Sequence, residues 1–195
     1  VTVSEGQAAL ARERCEELPV DIRVEDYRTL DEQFDHVVSI EMIEAVGRRN
    51  LPTFFATVDR CLRPDGLYVQ QVITGDTMSR TSDRRLDQFI MWLRMRIFPD
   101  GYLPNEQELV PPRDTSLRIQ DWQRYVNDYE QTLLAWAANV NAGWDNLASS
   151  YDERFHRRWN FYLHSCVAAF RARLIDVQQI TYSKGGTSSR FTPVR

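Results

Sequence analysis

Cysteine and histidine are scarce in this chain, and long apolar runs are missing. The three cysteines, Cys15, Cys61 and Cys166, are odd in number and far apart. That spacing excludes a disulfide framework of the kind that staples small secreted domains, and it fits a reducing cytosol. His156 and His164 have no partner His, Cys or carboxylate at ligand spacing, so no metal site is expected. No apolar stretch approaches the ~20 residues of a membrane-spanning helix, and no secretory signal is visible. Charge of one sign is also lacking: 24 Lys and Arg stand against 28 Asp and Glu, a net charge of −4. A generally basic nucleic-acid binder is thereby excluded, and no nucleic-acid partner is expected. None of the 8 glycines forms a G-x-G-x-G loop. What remains, 43% hydrophobic over 195 residues, suffices for one domain with a real core and is too apolar for a disordered chain.

Residues 34–74 organise the rest. FDHVVSIEMIE reads as a buried strand that ends abruptly in acidic residues. Over residues 50–63, Leu51, Phe54, Phe55, Val58 and Leu62 recur at helical spacing and predict a helix packed on a sheet. Pro64-Asp65-Gly66 ends that helix and turns into a second apolar strand, residues 67–73. Strand, helix and strand in this order form the parallel crossover unit of an α/β fold. Ligands of such sheets lie beyond the carboxyl ends of the strands, which singles out Glu41 and Glu44 at one end and Gln71 to Thr74 at the next. A carboxylate just past a strand is more often solvated or caps the next helix, so neither glutamate decides a function alone.

The chain opens on Val1-Thr2-Val3, the end of a strand, followed by a helix over residues 4–16 with Ser4 as N-cap. Residues 20–24 alternate as a short strand, and residues 75–85 read as a polar loop. In FIMWLRMRIFPDGYLP, dense apolar groups are interrupted by Arg94 and Arg96. Helix packing on the core explains most of these residues; an acyl-chain wall with a cationic rim is the functional alternative. Residues 121–140 are expected as a helix carrying Trp122, Tyr125, Tyr129, Leu133 and Trp136, and residues 150–173 as another. The mixture of Arg154, Arg157, Arg158, Trp159, Phe161 and Tyr162 on the latter suits a solvated basic face, a membrane surface or a second subunit. Residues 176–182 form a closing strand, with residues 191–194 expected to pair with it in an antiparallel hairpin.

Several motifs together resemble the cyclopropane-fatty-acyl-phospholipid synthases and mycolic-acid cyclopropane synthases, which use S-adenosylmethionine (SAM). They are FD-x-V-V-S-I-x-M-x-E-x-V-G, FF-x-x-V-D-R-x-L-x-P-x-G, IFPDGYLP, DYEQTLLAW and YDERFHRRWNFYLHSCVAAFRAR, in that order. The resemblance implies a Rossmann-like α/β fold with a mainly parallel sheet, a C-terminal antiparallel hairpin and an inserted helical lipid-binding region within residues 75–173. It also implies that the first strand and Gly-rich loop lie upstream. The chain is therefore read as a partial methyltransferase domain over residues 1–195, expected to bind SAM poorly and to be inactive alone. Around SAM the resemblance places Thr2, Gln7, Asp26 and Tyr27, the last two at the adenine, and Ser39, Ile40 and Glu41 at the strand end. Its catalytic positions map to Glu44, Gln71, Ile73 and Tyr129. In the family these hold a bound bicarbonate, with a cysteine that none of the three here matches. Gln71 stands where one branch has His and cannot shuttle a proton near neutral pH. Glu41 stands where Gly is common, and Ala45 replaces a common His.

The implied reaction adds the SAM methyl to a cis double bond of a phospholipid acyl chain, and proton loss to bicarbonate closes a cyclopropane ring. It needs a dry apolar tunnel, aromatic faces beside the cation and a base within hydrogen-bond reach. Unsaturated phospholipid is the expected partner, at the inner face of the membrane of a cytoplasmic, peripherally bound protein that can form a homodimer. Two other readings stay open. One is a lipid methyltransferase giving a methyl-branched or methylene product, separable by product analysis. The other is a non-catalytic lipid- or protein-binding relative, whose gene would lack the Gly-rich loop.

Overall fold

The computed structural model describes residues 1–75, 84–185 and 191–193, apart from the side chains of Arg85 and Leu86. Strand β1 (Phe34–Ile40) leads through two short 3-10 turns into helix α2 (Leu51–Cys61), preceded in the chain by α1 (Glu5–Arg14). Pro52 lies in the first turn of α2, where its missing N–H costs no helical bond. The helix buries Leu51, Phe54, Phe55 and Val58, the face that the sequence spacing predicts. Strand β2 (Leu62–Thr74) returns parallel to β1, with His36 opposite Leu67 and Ile40 opposite Gln71. The expected turn persists as a bulge within β2: Phe34 faces Leu62, but the next pair is His36 with Leu67. Asp65 there has φ +61, and a Cβ on Gly66 would lie 2.7 Å from the Asp35 carbonyl oxygen. Only glycine fits that approach.

Strands β3 (Leu117–Arg124) and β4 (Asp176–Lys184) complete a sheet of order β1-β2-β4-β3, in which β4 is antiparallel to both neighbours. The sheet is therefore mixed, its parallel part being β1 with β2. Three local expectations are corrected. Residues 121–124 belong to β3, not to a helix, because pairing with β4 overrides the helical spacing and the Trp122 indole donates to Gln178 at 2.6 Å. The helix that follows, α4 (Val126–Ala142), starts only after Tyr125. The antiparallel partners of β4 are thus β2 and β3; residues 191–193 lie in no strand, and Val194 falls outside the described residues. Residues 20–24 contribute a single parallel bridge, Thr2 to Val24, instead of a strand. Most of the polar loop expected over residues 75–85 also falls outside the described residues.

Helices α3 (Arg84–Arg96), α4 and α6 (Glu153–Arg171), with the short α5 (Trp144–Leu147), form the layer that faces the strand ends. Asp152 caps α6 by accepting the Phe155 N–H at 2.7 Å. Leu163, Val167 and Phe170 of α6 pack with Leu133 and Ala137 of α4. Helix α3 meets α6 through Phe89 and Trp92, both edge-on to Phe161 at 6.1 and 4.9 Å, while Met91 and Met95 stay exposed.

Candidate active site

Beyond Ile40 the backbone of β1 turns sharply. Glu41 adopts φ +50, a left-handed conformation that costs a non-glycine residue strain. Its N–H donates to the Gln71 carbonyl at 3.0 Å, which continues the β1–β2 ladder by one bond. The side chain then faces two donors. The Tyr129 hydroxyl donates to Glu41 Oε1 at 2.6 Å and the Gln71 amide donates to the same oxygen at 3.1 Å. Gln71 is oriented for this by Gln179, directly opposite on β4, whose amide donates to Gln71 Oε1 at 2.8 Å. Burial, then the bond to Glu41, raises the Tyr129 hydroxyl well above its ordinary range, so it stays a donor.

Glu44 sits in the 3-10 turn Ile43–Ala45 that follows. Its Oε1 accepts the Ile73 N–H at 2.6 Å, whereas Oε2 is buried without a hydrogen-bond partner. Burial pushes this carboxyl up from 4.5 to about 7; the Ile73 N–H pulls it down, and the nearby Glu41 carboxylate pushes it further up. Glu41, Glu44, Gln71, Ile73 and Tyr129, contributed by two strand ends and α4, thus form one cluster.

The cluster stands between two hollows. A cavity of about 440 Å³ runs between α3, α4 and α6, with Phe89, Leu93, Leu133, Tyr162 and Phe170 among its walls and Arg94 beside them. A more open depression of about 420 Å³ lies over the ends of β1 and β2 and includes Ile40, Gln71, Asp128 and Thr132. Glu41, Tyr129 and Trp136 line both.

The family model described as "Mycolic acid cyclopropane synthetase" matches residues 1–180. The chain belongs to this family. It is 40% identical over 185 residues to the cyclopropane-fatty-acyl-phospholipid synthase of Escherichia coli (strain K12), a match covering 95% of this chain and 47% of that protein. The chain therefore spans about half the length of that curated relative. Among solved structures it is similar to the cyclopropane synthase MmaA2 from Mycobacterium tuberculosis, with a TM-score of 0.86 and 27% identity over 94% of this chain and 68% of that one. It is also similar to mycolic acid cyclopropane synthase CmaA1 complexed with SAH and CTAB, with a TM-score of 0.83, 25% identity and the same shares of 94% and 68%. The fold is the α/β fold of SAM-dependent methyltransferases.

Within that fold the remaining residues singled out by sequence lie less centrally. Ser39 is buried, its hydroxyl 2.8 Å from the Tyr68 hydroxyl inside the core. The Thr2 hydroxyl donates to Gln7 Oε1 at 3.1 Å, near the start of α1. Asp26 is held down at about 2 by the Arg28 guanidinium and backbone N–H, which occupy both its oxygens. The Tyr27 ring packs edge-on against Phe54 at 5.7 Å. Sequence reasoning placed Tyr162 only in the Arg and aromatic mixture of α6 and gave Cys166 no site role; both line the cavity from this helix. Their spacing of four puts them on one helix face, the signal that was available. Burial pushes the Cys166 thiol up to about 12, which makes it an inert wall group and a poor nucleophile. Among the described residues no group of three or more His, Cys, Asp or Glu is arranged to hold a metal.

Proposed function

We propose that this chain is the catalytic part of an enzyme that transfers the SAM methyl group to the cis double bond of an unsaturated phospholipid acyl chain and forms a cyclopropane ring. The observation that carries this reading is an apolar, aromatic cavity that ends on a cluster of two carboxylates and a tyrosine. Such a cavity holds an alkyl chain and keeps water from a carbocation, and the faces of Tyr162 and Phe170 stabilise positive charge without reacting with it.

The depression over the strand ends suits SAM. Its site in the sheet is where ligands of parallel α/β units lie, and the Glu41 and Asp128 carboxylates match a cationic sulfonium. Bound there, SAM supplies an electrophilic methyl carbon. Of the residues we assign to its surroundings, Ile40 and Glu41 line this depression; Thr2, Gln7, Asp26 and Tyr27 lie outside it and are assigned to the rest of the SAM molecule, with Ser39 acting behind the strand end through Tyr68. On the cavity side, Met91, Met95 and Phe98 present exposed apolar surface beside Arg94. This combination suits a phospholipid surface, with the apolar groups among acyl chains and the guanidinium at the phosphates.

A bound bicarbonate would have to displace this chain's own carboxylates from the donors present. The Ile73 N–H is engaged by Glu44, and both the Tyr129 hydroxyl and the Gln71 amide are engaged by Glu41.

The test is incubation of the full-length gene product with methyl-labelled SAM and vesicles of unsaturated phospholipid, followed by analysis of the fatty acids. Label in a cyclopropane ring is expected. Label in a methyl branch or methylene would assign the alternative product, and no transfer by a folded protein would overturn the enzymatic reading.

A further inference from the structure

We propose that the Glu41 carboxylate is itself the general base of ring closure, in place of a bound anion. The inference rests on the substrate and reaction proposed above. Three independent observations converge on it.

First, the donors are already assembled around this side chain. Tyr129 and Gln71 aim at one oxygen, Oε1, and the Gln179 to Gln71 bond fixes which face of the Gln71 amide they present. Donors on one oxygen leave the other free. Among the described residues Oε2 of Glu41 has no hydrogen-bond partner, so it is the atom open to a proton from the substrate.

Second, the position is strained. At φ +50 glycine would be comfortable, and a glutamate is not. Strained side chains at strand ends point to function when the surroundings hold them in place, as the Gln71 carbonyl and the two donors do here.

Third, Glu41 belongs to both hollows. A base for this reaction has to stand where the methyl donor and the double bond meet, within hydrogen-bond reach of the carbon that arrives. Glu44 is less suited. Its Oε1 is taken by the Ile73 N–H, and burial keeps its proton on through most of the range below neutrality. The Glu41 carboxylate close by pushes the Glu44 carboxyl further up.

The step balances as follows. The alkene π pair forms a bond to the sulfonium methyl carbon, and the S–CH₃ pair leaves with sulfur, so S-adenosylhomocysteine is released. The second alkene carbon becomes cationic. Glu41 Oε2 takes a proton from the transferred methyl group, and the freed C–H pair closes the third side of the ring. The neutral Glu41 acid returns its proton to solvent when the product leaves.

The experiment compares the full-length wild-type protein with Glu41→Gln and Glu41→Gly, using methyl-labelled SAM and unsaturated phospholipid vesicles. Each is assayed in carbon-dioxide-depleted buffer and again after bicarbonate is added. Wild type is expected to form rings at the same rate in both. Glu41→Gln, which keeps the shape and the acceptor oxygen, is expected to lose about 100-fold or more in ring formation. Part of the residual label should appear in open-chain products, because the cation still forms. Glu41→Gly removes the strain and frees Tyr129 and Gln71, so added bicarbonate should restore ring closure in this variant alone. Thermal unfolding of both variants checks that they are folded. A wild type that transfers label but needs bicarbonate overturns the assignment of the base and leaves the substrate reading standing. So does a Glu41→Gln protein that closes rings at nearly the wild-type rate. A wild type that transfers no label at all removes both.

Discussion

Between α2 and the sheet, Phe54, Phe55, Tyr68 and Tyr182 fill the space ring against ring, with centroid separations of 5.2 to 6.3 Å. Between α3, α4 and α6, aromatic side chains also touch, Phe98 with Tyr162 at 5.6 Å and Tyr129 with Phe170 at 5.0 Å, yet they leave about 440 Å³ enclosed. In the first region the two buried hydroxyls are satisfied, Tyr68 by Ser39 and Tyr182 by the Leu109 carbonyl at 2.9 Å. Each region also holds an unpartnered buried polar group, the Gln70 amide nitrogen in the first and a carboxylate oxygen of Glu44 in the second, so what differs between them is the packing. The contrast separates the parts that hold the fold from those that leave room for chemistry. Close packing resists any change of volume, whereas an enclosed hollow with an unpaired carboxyl costs stability and is retained for a ligand.

The largest expected effect tests the packed side. Phe54→Ala should lose about 3–5 kcal/mol of stability in urea unfolding, because removal of the ring leaves a cavity that neighbours from three elements cannot close. Phe89→Ala, at the wall of the existing cavity, should cost far less. Equal losses at the two sites would break the comparison.

A second test uses pH. A carboxyl raised by burial from 4.5 to about 7 holds its proton in the folded state over a range where the unfolded chain has released it. Its contribution is therefore most favourable below about 4.5 and declines as pH rises, levelling off above about 7. At about 1.36 kcal/mol per pH unit of displacement, the decline amounts to about 3 kcal/mol. Glu44→Gln still accepts from the Ile73 N–H and should remove that slope, making the protein more stable than wild type at pH 8. Parallel stability-versus-pH curves for the two would show that Glu44 is not desolvated as described.

Gly66→Ala comes next. A Cβ there meets backbone oxygens of Asp35 and Arg63 at 2.7 and 2.8 Å, and backbone in a sheet cannot yield as a side-chain tip can. A loss of about 1–3 kcal/mol is expected in the same urea measurement.

How far these regions could be read in advance follows from the distances in sequence over which they are built. The crossover unit was legible because its signals are local: the apolar spacing of α2, the Pro64-Asp65-Gly66 turn, the acidic strand end. Strand β3 was not, because LRIQDWQR carries no clean alternation and becomes a strand only by pairing with β4, some sixty residues away. The grouping of Glu44, Gln71, Ile73 and Tyr129 as candidate positions was legible by resemblance. Their wiring was not. Glu41 and Tyr129 are 88 residues apart, and Glu44 and Ile73 are 29 apart. Nothing along the chain says that Tyr129 and Gln71 would turn to Glu41 and the Ile73 N–H to Glu44. Glu41 stood out as a carboxylate at a strand end and as a departure from glycine, and its backbone angle now gives that departure a physical meaning.

The smallest expected effect on stability sharpens the comparison most, because it adds volume, as Gly66→Ala does, but at the hollow. Ala169 of α6 is buried and faces the cavity. Ala169→Val introduces two methyl groups into existing space, so no neighbour has to move, and the remaining cost is the restricted rotamer of a β-branched residue in a helix. A change of less than about 1 kcal/mol is expected in urea, smaller than for the single methyl of Gly66→Ala. Transfer of labelled methyl to phospholipid should nevertheless fall, and fall more for bulky or long acyl chains than for short ones, because the new methyl groups occupy room assigned to the substrate. A variant with unchanged stability and unchanged chain preference would mean that the acyl chain does not pass Ala169. A variant as destabilised as Gly66→Ala would mean that the hollow between the helices is packed as tightly as the sheet core.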